Sequence, residues 1–265
     1  MSTVLDEILA RTRERVALEQ ERRPLGHLHA AVRLAPSPRP FAEALARGGR
    51  VNVIAEYKRR SPSRGAIRED LAPGDVARRY EENGARALSV LTDEPFFGGR
   101  LGHLGEARTN VTLPVLRKDF VVDPWQVWEA RAAGADAVLL IVAALADAEL
   151  GTLLSVAREA RMEALVEVHD RSELTRALAA GARIVGVNNR DLRTLEVSLR
   201  TSFALADAIP DDVLAVSESG IRSAADVRAL REAGFDAFLV GEQRMCAPDP
   251  GAALARLLQD GEGRS

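Results

Sequence analysis

The chain has 265 residues, of which 46% are hydrophobic and 28% charged, and this is enough apolar material for one substantial core. Its formal net charge is −3, so no strongly basic surface indicates a nucleic acid or an anionic membrane as a partner. The single cysteine, Cys246, excludes an internal disulfide framework and a cysteine-rich metal site. The residues up to Val16 mix acidic and basic side chains without an apolar signal segment, so we expect a cytoplasmic protein.

Residues 1–50 are predicted to form an N-terminal helical extension. Apolar residues that share one face predict a helix from about Leu5 to Glu21. A proline-containing connector follows, and a second short helix is predicted at Phe41–Arg47. This segment carries too little apolar surface for a core of its own, so we expect it to pack on the rest of the chain.

From Val51 onwards, apolar strand candidates alternate with amphipathic helices. Several predicted helices end in glycine, which favours the left-handed conformation that terminates a helix. The predicted strands are Val51–Ala55, Ala87–Leu91, Leu113–Leu116, Ala137–Val142, Ala164–Val168, Ile184–Val187, Val213–Val216 and Ala237–Val240. The predicted helices are Gly74–Glu82, Pro124–Ala132, Ala146–Ala160, Ser172–Ala179, Ala224–Glu232 and Gly251–Leu258.

This alternation predicts an α/β fold, a closed (β/α)8 TIM barrel over residues 51–260 with the helical extension in front of it. We expect residues 1–265 to form a single domain. A doubly wound open sheet is the alternative, but no G-x-G-x-x-G motif follows the first predicted strand.

Polar or ionisable side chains follow most of the predicted strands. In a (β/α)8 barrel the carboxyl ends of the strands meet at one mouth, where catalytic groups project. The stretch Leu113–Pro124 places Lys118 directly after an apolar strand, so Lys118 is the first candidate for a catalytic residue. The other strand-end candidates are Glu56, Lys58, Thr92, Asp93, Glu167, His169, Asn188, Arg190, Glu218, Ser219, Gly241 and Glu242.

Lys118 and Glu167 are candidates for complementary acid and base roles. A lysine near another cation such as Lys58 loses basicity, whereas a carboxylate in a partly apolar mouth gains it. We therefore expect both pKa values to move towards neutrality, where proton transfer is efficient. A Schiff-base role for Lys118 is the competing interpretation, and the sequence alone does not separate the two.

Two glycine-containing segments late in the chain fit a phosphate site. Ser217–Ile221 follows the seventh predicted strand, and Val240–Glu242 ends the eighth. Barrels often bind phosphate with these two loops, because glycines let backbone N–H groups approach the oxygens and a helix N-terminus adds positive potential.

Together these motifs resemble the indole-3-glycerol-phosphate synthase family of tryptophan biosynthesis, whose members are (β/α)8 barrels. The resemblance extends from about residue 50 to residue 246. The segments that carry it are Ile54–Ser63, Ser89–Asp93, Phe97–Gly99, Leu116–Phe120, Leu165–His169, Gly186–Leu192, Glu218–Ile221 and Leu239–Glu242.

The resemblance implies that 1-(2-carboxyphenylamino)-1-deoxyribulose 5-phosphate closes its pyrrole ring with loss of carbon dioxide and water. It implies no metal and no organic cofactor. Lys118 would be the general acid of ring closure, Glu167 would serve the proton transfers of dehydration, and Lys58 would hold substrate anions and assist the second step. The other implied site residues are Glu56, Asn188 and Glu218 in the polar cluster, Ser61 and Arg190 at the anthranilate carboxylate, Phe97, Phe120 and Leu139 in the apolar walls, and Ser219, Gly220, Gly241 and Glu242 at the phosphate.

The resemblance also implies a small-molecule phosphorylated substrate, and we expect a monomer. The helical extension would help to cover the substrate. One departure stands after Gly241-Glu242, where the family usually continues with small or apolar residues such as Ser-Leu-Met and this chain has Gln243, Arg244 and Met245. Arg244 either reinforces phosphate binding or points to solvent, and we expect it to point to solvent because backbone groups already suffice for the phosphate.

Two other functions compete with this interpretation. A phosphoribosylanthranilate isomerase would need a cysteine and an aspartate at the mouth, and Cys246 lies after the last predicted strand. A non-catalytic barrel that binds a phosphorylated metabolite or a partner protein would need the phosphate loops, but it would not need the whole proton-transfer set of Lys118, Glu167, Lys58, Glu56 and Asn188.

Overall fold

The computed structural model describes residues 3–46, 48 and 50–261, and of Asp260 only the backbone. Strands that follow one another in the chain pair in parallel, and β1 also pairs with β8, where Ile54 lies opposite Leu239. The sheet is therefore closed, and the prediction of a (β/α)8 barrel is confirmed. The barrel strands are β1 (Asn52–Tyr57), β2 (Ala87–Leu91), β3 (Val115–Lys118), β4 (Ala137–Ile141), β5 (Glu163–Val168), β6 (Ile184–Asn188), β7 (Leu214–Glu218) and β8 (Ala237–Val240).

Helices cover the outside of the barrel, and four of those that precede a strand end in left-handed glycines, at Gly84, Gly134, Gly181 and Gly234, as predicted. Every helix in the described ranges is too short or too polar to cross a membrane. The helices are α1 (Val4–Arg22), α2 (Leu25–Leu34), α3 (Phe41–Leu45), α4 (Pro73–Glu82), α5 (Glu94–Phe97), α6 (Leu101–Thr109), α7 (Pro124–Ala132), α8 (Asp147–Glu159), α9 (Arg171–Ala179), α10 (Arg200–Leu205), α11 (Ala224–Glu232), α12 (Glu242–Met245) and α13 (Pro250–Gly261).

Several helices were not predicted, and the most informative of them is α2. Pro24 was interpreted as part of a connector, but it occupies the position just before the first turn of α2, where a proline is compatible with a helix. Leu28 of α2 is fully buried, and the ring of His29 makes an edge contact of 4.5 Å with Trp128 of α7. Helix α3 ends at Leu45, and the predicted helix end at Arg47 lies outside the described residues.

The strands extend further towards the mouth than the apolar runs predicted. Strands β3, β6 and β7 end on Lys118, Asn188 and Glu218, so these residues belong to the strands and do not follow them. Side chains alternate along a strand, so adjacent residues point to opposite sides. Arg117 is fully buried and forms ion pairs with Asp119 at 2.9 Å and Glu129 at 2.8 Å, whereas Lys118 reaches the mouth.

The N-terminal extension packs on the barrel from its mouth to its opposite end. Residues of α1 such as Ile8 and Val16 belong to the same buried apolar cluster as the barrel. Near the mouth, Gln20 Nε2 donates a hydrogen bond to Asp123 Oδ1 at 2.9 Å. At the amino end of β5, Glu163 Oε2 accepts a hydrogen bond of 2.6 Å from the backbone N–H of Ala42.

Candidate active site

A cavity of about 440 Å³ lies at the carboxyl ends of the barrel strands and brings together most of the predicted site residues. Ser61 lines a smaller adjoining cavity of about 80 Å³ with Val4, Leu5 and Ile8 of α1. Glu218 does not line the main cavity, but it is buried beside Lys118. The predicted residues that line the main cavity are Glu56, Lys58, Phe97, Lys118, Phe120, Leu139, Glu167, Asn188, Arg190, Ser219, Gly220, Gly241 and Glu242.

The ammonium group of Lys118 is the centre of the polar part of this cavity. Its Nζ atom lies 3.5 Å from Glu218 Oε2, 3.6 Å from Glu167 Oε2 and 3.9 Å from Glu56 Oε2. Lys58 Nζ forms a closer ion pair with Glu56 Oε1, at 2.8 Å. The three carboxylates come from β7, β5 and β1, so the closure of the barrel creates this arrangement.

Two glycines make room for the buried carboxylates. A Cβ atom at Gly186 of β6 would collide with Glu218 Oε1. A Cβ atom at Gly241 would lie 2.5 Å from Glu56 Oε1, closer than side-chain atoms can pack. Gly241 was predicted for close approach of the backbone to phosphate. The structure adds a second reason for glycine there, because any larger residue would displace Glu56.

The prediction that Lys118 loses basicity was wrong. Burial favours the neutral amine, but the carboxylates of Glu167, Glu218 and Glu56 outweigh it and raise the pKa of Lys118 above its ordinary value. Lys58 does not oppose this effect, because its ammonium group is paired with Glu56. Lys118 is therefore an ammonium ion at neutral pH and carries a proton that it can donate, whereas a Schiff base requires the free amine.

The carboxylate that gains basicity is Glu218, and the prediction for Glu167 was wrong. Burial raises the pKa of Glu218 to about 8, although Lys118 acts in the opposite direction. For Glu167, burial favours the protonated acid, but Lys118 and His169 together lower its pKa below the ordinary value. The two carboxyl groups that lie beside the same lysine thus have pKa values shifted in opposite directions.

The turn after β7 depends on Asn189, which the sequence analysis did not single out. Its Nδ2 donates hydrogen bonds to Ser217 Oγ at 3.0 Å and to the backbone oxygens of Glu218 at 2.9 Å and Ser219 at 3.2 Å. Ser219 has a φ of 64°, and Gly220 follows with a φ of 79°, so two left-handed residues form the turn. In the sequence, the only indication of this role is that Asn189 is the second asparagine of the Gly186–Leu192 segment.

The apolar walls of the cavity lie beside Lys118. The rings of Phe97 and Phe120 are 6.2 Å apart between centroids and tilted by 37°. Phe120 follows Asp119, which the buried Arg117 holds from one side and Arg15 of α1 approaches at 3.7 Å from the other. Helix α1 is therefore linked to the segment that carries both Lys118 and Phe120.

Arg190 lies between the two cavities, where it was predicted to bind a carboxylate. Its Nη1 donates a hydrogen bond to the backbone oxygen of Leu195 at 3.1 Å, and its Nη2 lies 3.7 Å from Glu242 Oε2. Asn188 Oδ1 accepts a hydrogen bond of 3.0 Å from the backbone N–H of Arg190. The guanidinium group is thus available at the edge of the cavity in a defined orientation.

The prediction that Arg244 points to solvent was wrong. Arg244 is only 8% exposed, and its guanidinium group donates hydrogen bonds to the backbone oxygens of Ala253 and Arg222, each at 3.2 Å. Gln243 Oε1 accepts a further hydrogen bond at 2.9 Å. Arg244 therefore connects the loop after β8 to the loop after β7 and to α13, because its long stem reaches backbone oxygens that a leucine would leave without a donor.

The described residues contain no cluster of three or more histidine, cysteine, aspartate or glutamate side chains arranged to hold a metal ion.

Comparison with solved structures agrees with the fold. The 3-hexulose-6-phosphate synthase of Salmonella typhimurium aligns with a TM-score of 0.62 and 14% identity, over 80% of this chain and 98% of that one. A thiamine phosphate pyrophosphorylase from Pyrococcus furiosus aligns with a TM-score of 0.61 and 17% identity, over 81% of this chain and 96% of that one. At these identities the similarity shows the barrel fold alone.

Comparison at the level of sequence identifies the family. Residues 5–257 match the family model of indole-3-glycerol phosphate synthase. The indole-3-glycerol phosphate synthase of a Polaromonas species is 50% identical, over 97% of this chain and 98% of its own length. That of Acidithiobacillus ferrooxidans is also 50% identical, over 98% of this chain and 100% of its own length. The resemblance inferred from the motifs is thereby confirmed, and the chain belongs to the indole-3-glycerol phosphate synthase family, the carboxy-lyases of tryptophan biosynthesis.

Proposed function

We propose that the cavity at the barrel mouth converts 1-(2-carboxyphenylamino)-1-deoxyribulose 5-phosphate to indole-3-glycerol phosphate, with Lys118 as the general acid of ring closure. The observation that carries this proposal is the position of the Lys118 ammonium group, which lies within 4 Å of three carboxyl groups and beside apolar walls. An aromatic ring held against those walls would present its reacting carbon next to a proton donor.

Ring closure needs one proton. The ring carbon that bears the carboxylate attacks the substrate carbonyl carbon, and Lys118 donates its proton to the carbonyl oxygen as the new bond forms. Carbon dioxide then leaves, and its bonding electrons return to the ring. Glu56 and Glu167 stabilise the ammonium form of Lys118 and thereby keep the donor charged before the reaction.

Dehydration needs an acid and a base. The hydroxyl group formed in the first step leaves as water when Lys58 donates a proton to it, and Glu167 removes a proton to complete the indole double bond. Glu56 holds Lys58 at 2.8 Å, and Asn188 lies beside Glu167 in the same cavity. These two residues orient the reacting groups.

The two charged ends of the substrate have separate sites in this proposal. Arg190 and Ser61 bind the anthranilate carboxylate, since Arg190 lines both cavities and Ser61 lines the smaller one beside it. The phosphate binds at the loops after β7 and β8. Ser219, Gly220, Gly241 and Glu242 contribute there, the last two mainly through backbone N–H groups.

Replacement of Arg244 by leucine tests the connection between the two phosphate loops. We expect KM to rise about fivefold, because a poorly positioned loop would weaken substrate binding by about 1 kcal/mol, while kcat stays within twofold. Steady-state kinetics give both constants. Arg256→Leu is the matched control, because it removes a nearby exposed arginine of α13. An unchanged KM in Arg244→Leu would show that the Arg222 loop holds its position without this guanidinium group.

The pH dependence of turnover tests the protonated state of Glu218. Because burial raises the pKa of Glu218 to about 8, the group is protonated below that pH and becomes an anion above it. Ionisation adds a negative charge next to Lys118 and weakens it as an acid, so we expect kcat to fall above about pH 8. Glu218→Gln mimics the protonated form and should retain most of the activity at neutral pH. The alkaline fall should move to higher pH in this variant, and a fall at the wild-type pH would assign it to another group.

The decisive experiment follows indole fluorescence after the purified protein is mixed with the carboxyphenylamino-deoxyribulose phosphate without added metal. A rise in fluorescence that is saturable with substrate supports the proposed reaction. Substrate binding without a rise would contradict it and would favour a barrel that binds a phosphorylated metabolite without converting it. The same assay with Lys118→Ala connects the reaction to the site.

We also propose that residues 1–265 act as one monomeric domain in the cytoplasm. The continuous apolar cluster shared by α1 and the barrel supports a single domain over the described residues. Sedimentation equilibrium at micromolar concentration tests the oligomeric state.

A further inference from the structure

His169 lies just after β5, with its imidazole ring between two carboxylates. Its Nε2 is 3.4 Å from Glu167 Oε1, and its Nδ1 is 3.0 Å from Glu173 Oε2 in α9. The side chains of His169 and Glu173 are 14% and 16% exposed. Glu173 Oε2 also accepts the backbone N–H of His169 at 2.7 Å, so one carboxylate oxygen fixes both the backbone and the ring.

We propose that His169 is a positioning residue for the proton transfers of Glu167. The imidazolium ring spans Glu173 and Glu167, attracts Oε1 of Glu167 by its charge, and leaves Oε2 of Glu167 as the atom that exchanges a proton with the substrate. This role rests on the function proposed above for Glu167.

The two oxygens of Glu167 have different surroundings. Oε1 lies 3.4 Å from His169 Nε2, and because Nε2 makes no hydrogen bond among the described residues, the contact is one of charge. Oε2 is buried and has no hydrogen-bond partner among the described residues, and it lies 3.6 Å from Lys118 Nζ. A buried carboxylate oxygen without a donor is costly in a structural role. It is suited to a base that must accept a proton from a bound substrate.

The charges around the ring favour its cationic form. The groups that face it are Glu167 from β5 and Glu173 from α9, while Lys118 of β3 and Glu218 of β7 lie beyond Glu167. Burial favours the neutral ring, but the two carboxylates outweigh it and raise the pKa of His169 to about 10. A cation beside Oε1 favours the anionic form of Glu167, which is the form that can accept a proton from the substrate.

This arrangement also balances the charges of the site. With Glu218 protonated, the anionic groups are Glu56, Glu167 and Glu173. The cations that pair with them are Lys58, Lys118 and His169. If the imidazole were neutral, the site would carry one uncompensated buried negative charge, which is unfavourable.

Steady-state kinetics of His169→Asn and His169→Gln test the proposal. We expect kcat to fall about tenfold to a hundredfold and KM to change less than twofold, the pattern for loss of an orienting group. The glutamine amide can still donate near the position of Nε2, so kcat should fall less in His169→Gln than in His169→Asn. His27→Gln, at an exposed position of α2, is the matched control and should equal the wild type.

The pH dependence of kcat separates a positioning role from a purely structural one. Loss of a purely structural residue would leave the acid limb of this profile at the same pH. Without the cation, Glu167 holds its proton more tightly, so the limb should shift to higher pH by about one unit in both variants. If His169→Asn retains the wild-type kcat and acid limb while Glu167→Gln is inactive, the role of His169 is refuted and the proposed reaction stands. If the wild type does not turn over, the reaction fails and the role of His169 fails with it.

Nuclear magnetic resonance of protein labelled with ¹⁵N-histidine tests the same point without turnover. The signal that disappears in His169→Gln identifies the ring among the four histidines. Both ring nitrogens should be protonated at pH 8 in the wild type, and the ring should titrate at lower pH in Glu173→Gln. A neutral His169 ring at pH 8 would overturn the proposal.

Discussion

Replacement of Lys118 by alanine should lower kcat by about a thousandfold or more and leave the dissociation constant of the substrate within about threefold, since general acid catalysis contributes on this scale. The physical reason is that Lys118 is the proton donor beside the apolar walls, whereas the proposed phosphate and carboxylate sites lie elsewhere in the cavity. Single-turnover fluorescence gives the rate of ring closure, and calorimetry with the inactive variant gives the affinity.

Lys118→Arg separates the charge of Lys118 from its proton. Arginine keeps a cation among Glu56, Glu167 and Glu218, but its guanidinium group does not release a proton at accessible pH. We therefore expect Lys118→Arg to be nearly as inactive as Lys118→Ala, although its carboxylates remain paired. Turnover near the wild-type level in Lys118→Arg would mean that the positive charge is sufficient. Equal losses of kcat and affinity in Lys118→Ala would make Lys118 a binding residue.

Replacement of Glu167 by glutamine should lower kcat by about a hundredfold to a thousandfold with a small change in KM, because the amide cannot accept a proton from the substrate. The expected defect lies in dehydration. A rapid-quench time course of Glu167→Gln should therefore show carbon dioxide released faster than indole is formed. Glu167 is anionic at neutral pH, since Lys118 and His169 outweigh its burial.

Glu218→Gln is the matched control for this variant. The two glutamates are both buried and both lie within 4 Å of Lys118 Nζ, yet their pKa values move in opposite directions. A protonated carboxyl group loses little when it becomes an amide, whereas an ionised base loses its function. Equal defects in the two variants would contradict the assignment of Glu167 as the base and Glu218 as the neutral neighbour.

The positions of the candidate site residues could be predicted because strand ends converge in a closed barrel. The alternation of apolar runs and helices predicts Glu56, Lys118, Glu167 and Glu218 at one mouth, and in the structure the three glutamates lie within 4 Å of the Lys118 amine. The contact between Lys58 and Glu56, by contrast, depends on which way each side chain turns.

The pKa shifts could not be predicted, because their sign depends on how many carboxylates reach one lysine. A sequence shows that Lys58 and Lys118 are both near the mouth, and two cations would lower each other's pKa. In the structure, Lys58 pairs with Glu56, and Lys118 lies near three carboxylates, those of Glu56, Glu167 and Glu218. The sign of each pKa shift depends on which charged groups lie 3 to 4 Å apart, and the spacing of residues in the sequence does not give these distances.

Arg244 illustrates a second kind of error. An arginine after the last strand is usually assigned to solvent because the burial of a charge without an anionic partner is unfavourable. Here backbone oxygens of Ala253 and Arg222 replace the missing anion. Such carbonyl acceptors come from loops distant in sequence, so no local pattern reveals them.

Because β1 pairs with β8, the active site can be completed only after the last strand has been synthesised and has paired with the first. Glu56 is made early and Gly241 late during synthesis, and the wall of the site around Glu56 is incomplete until the last strand pairs with the first. Contacts between such distant segments form slowly, because a long loop must close first. A nascent chain that stops before β8 could collapse around its helices and still have no catalytic site. Turnover therefore reports that the whole barrel has folded.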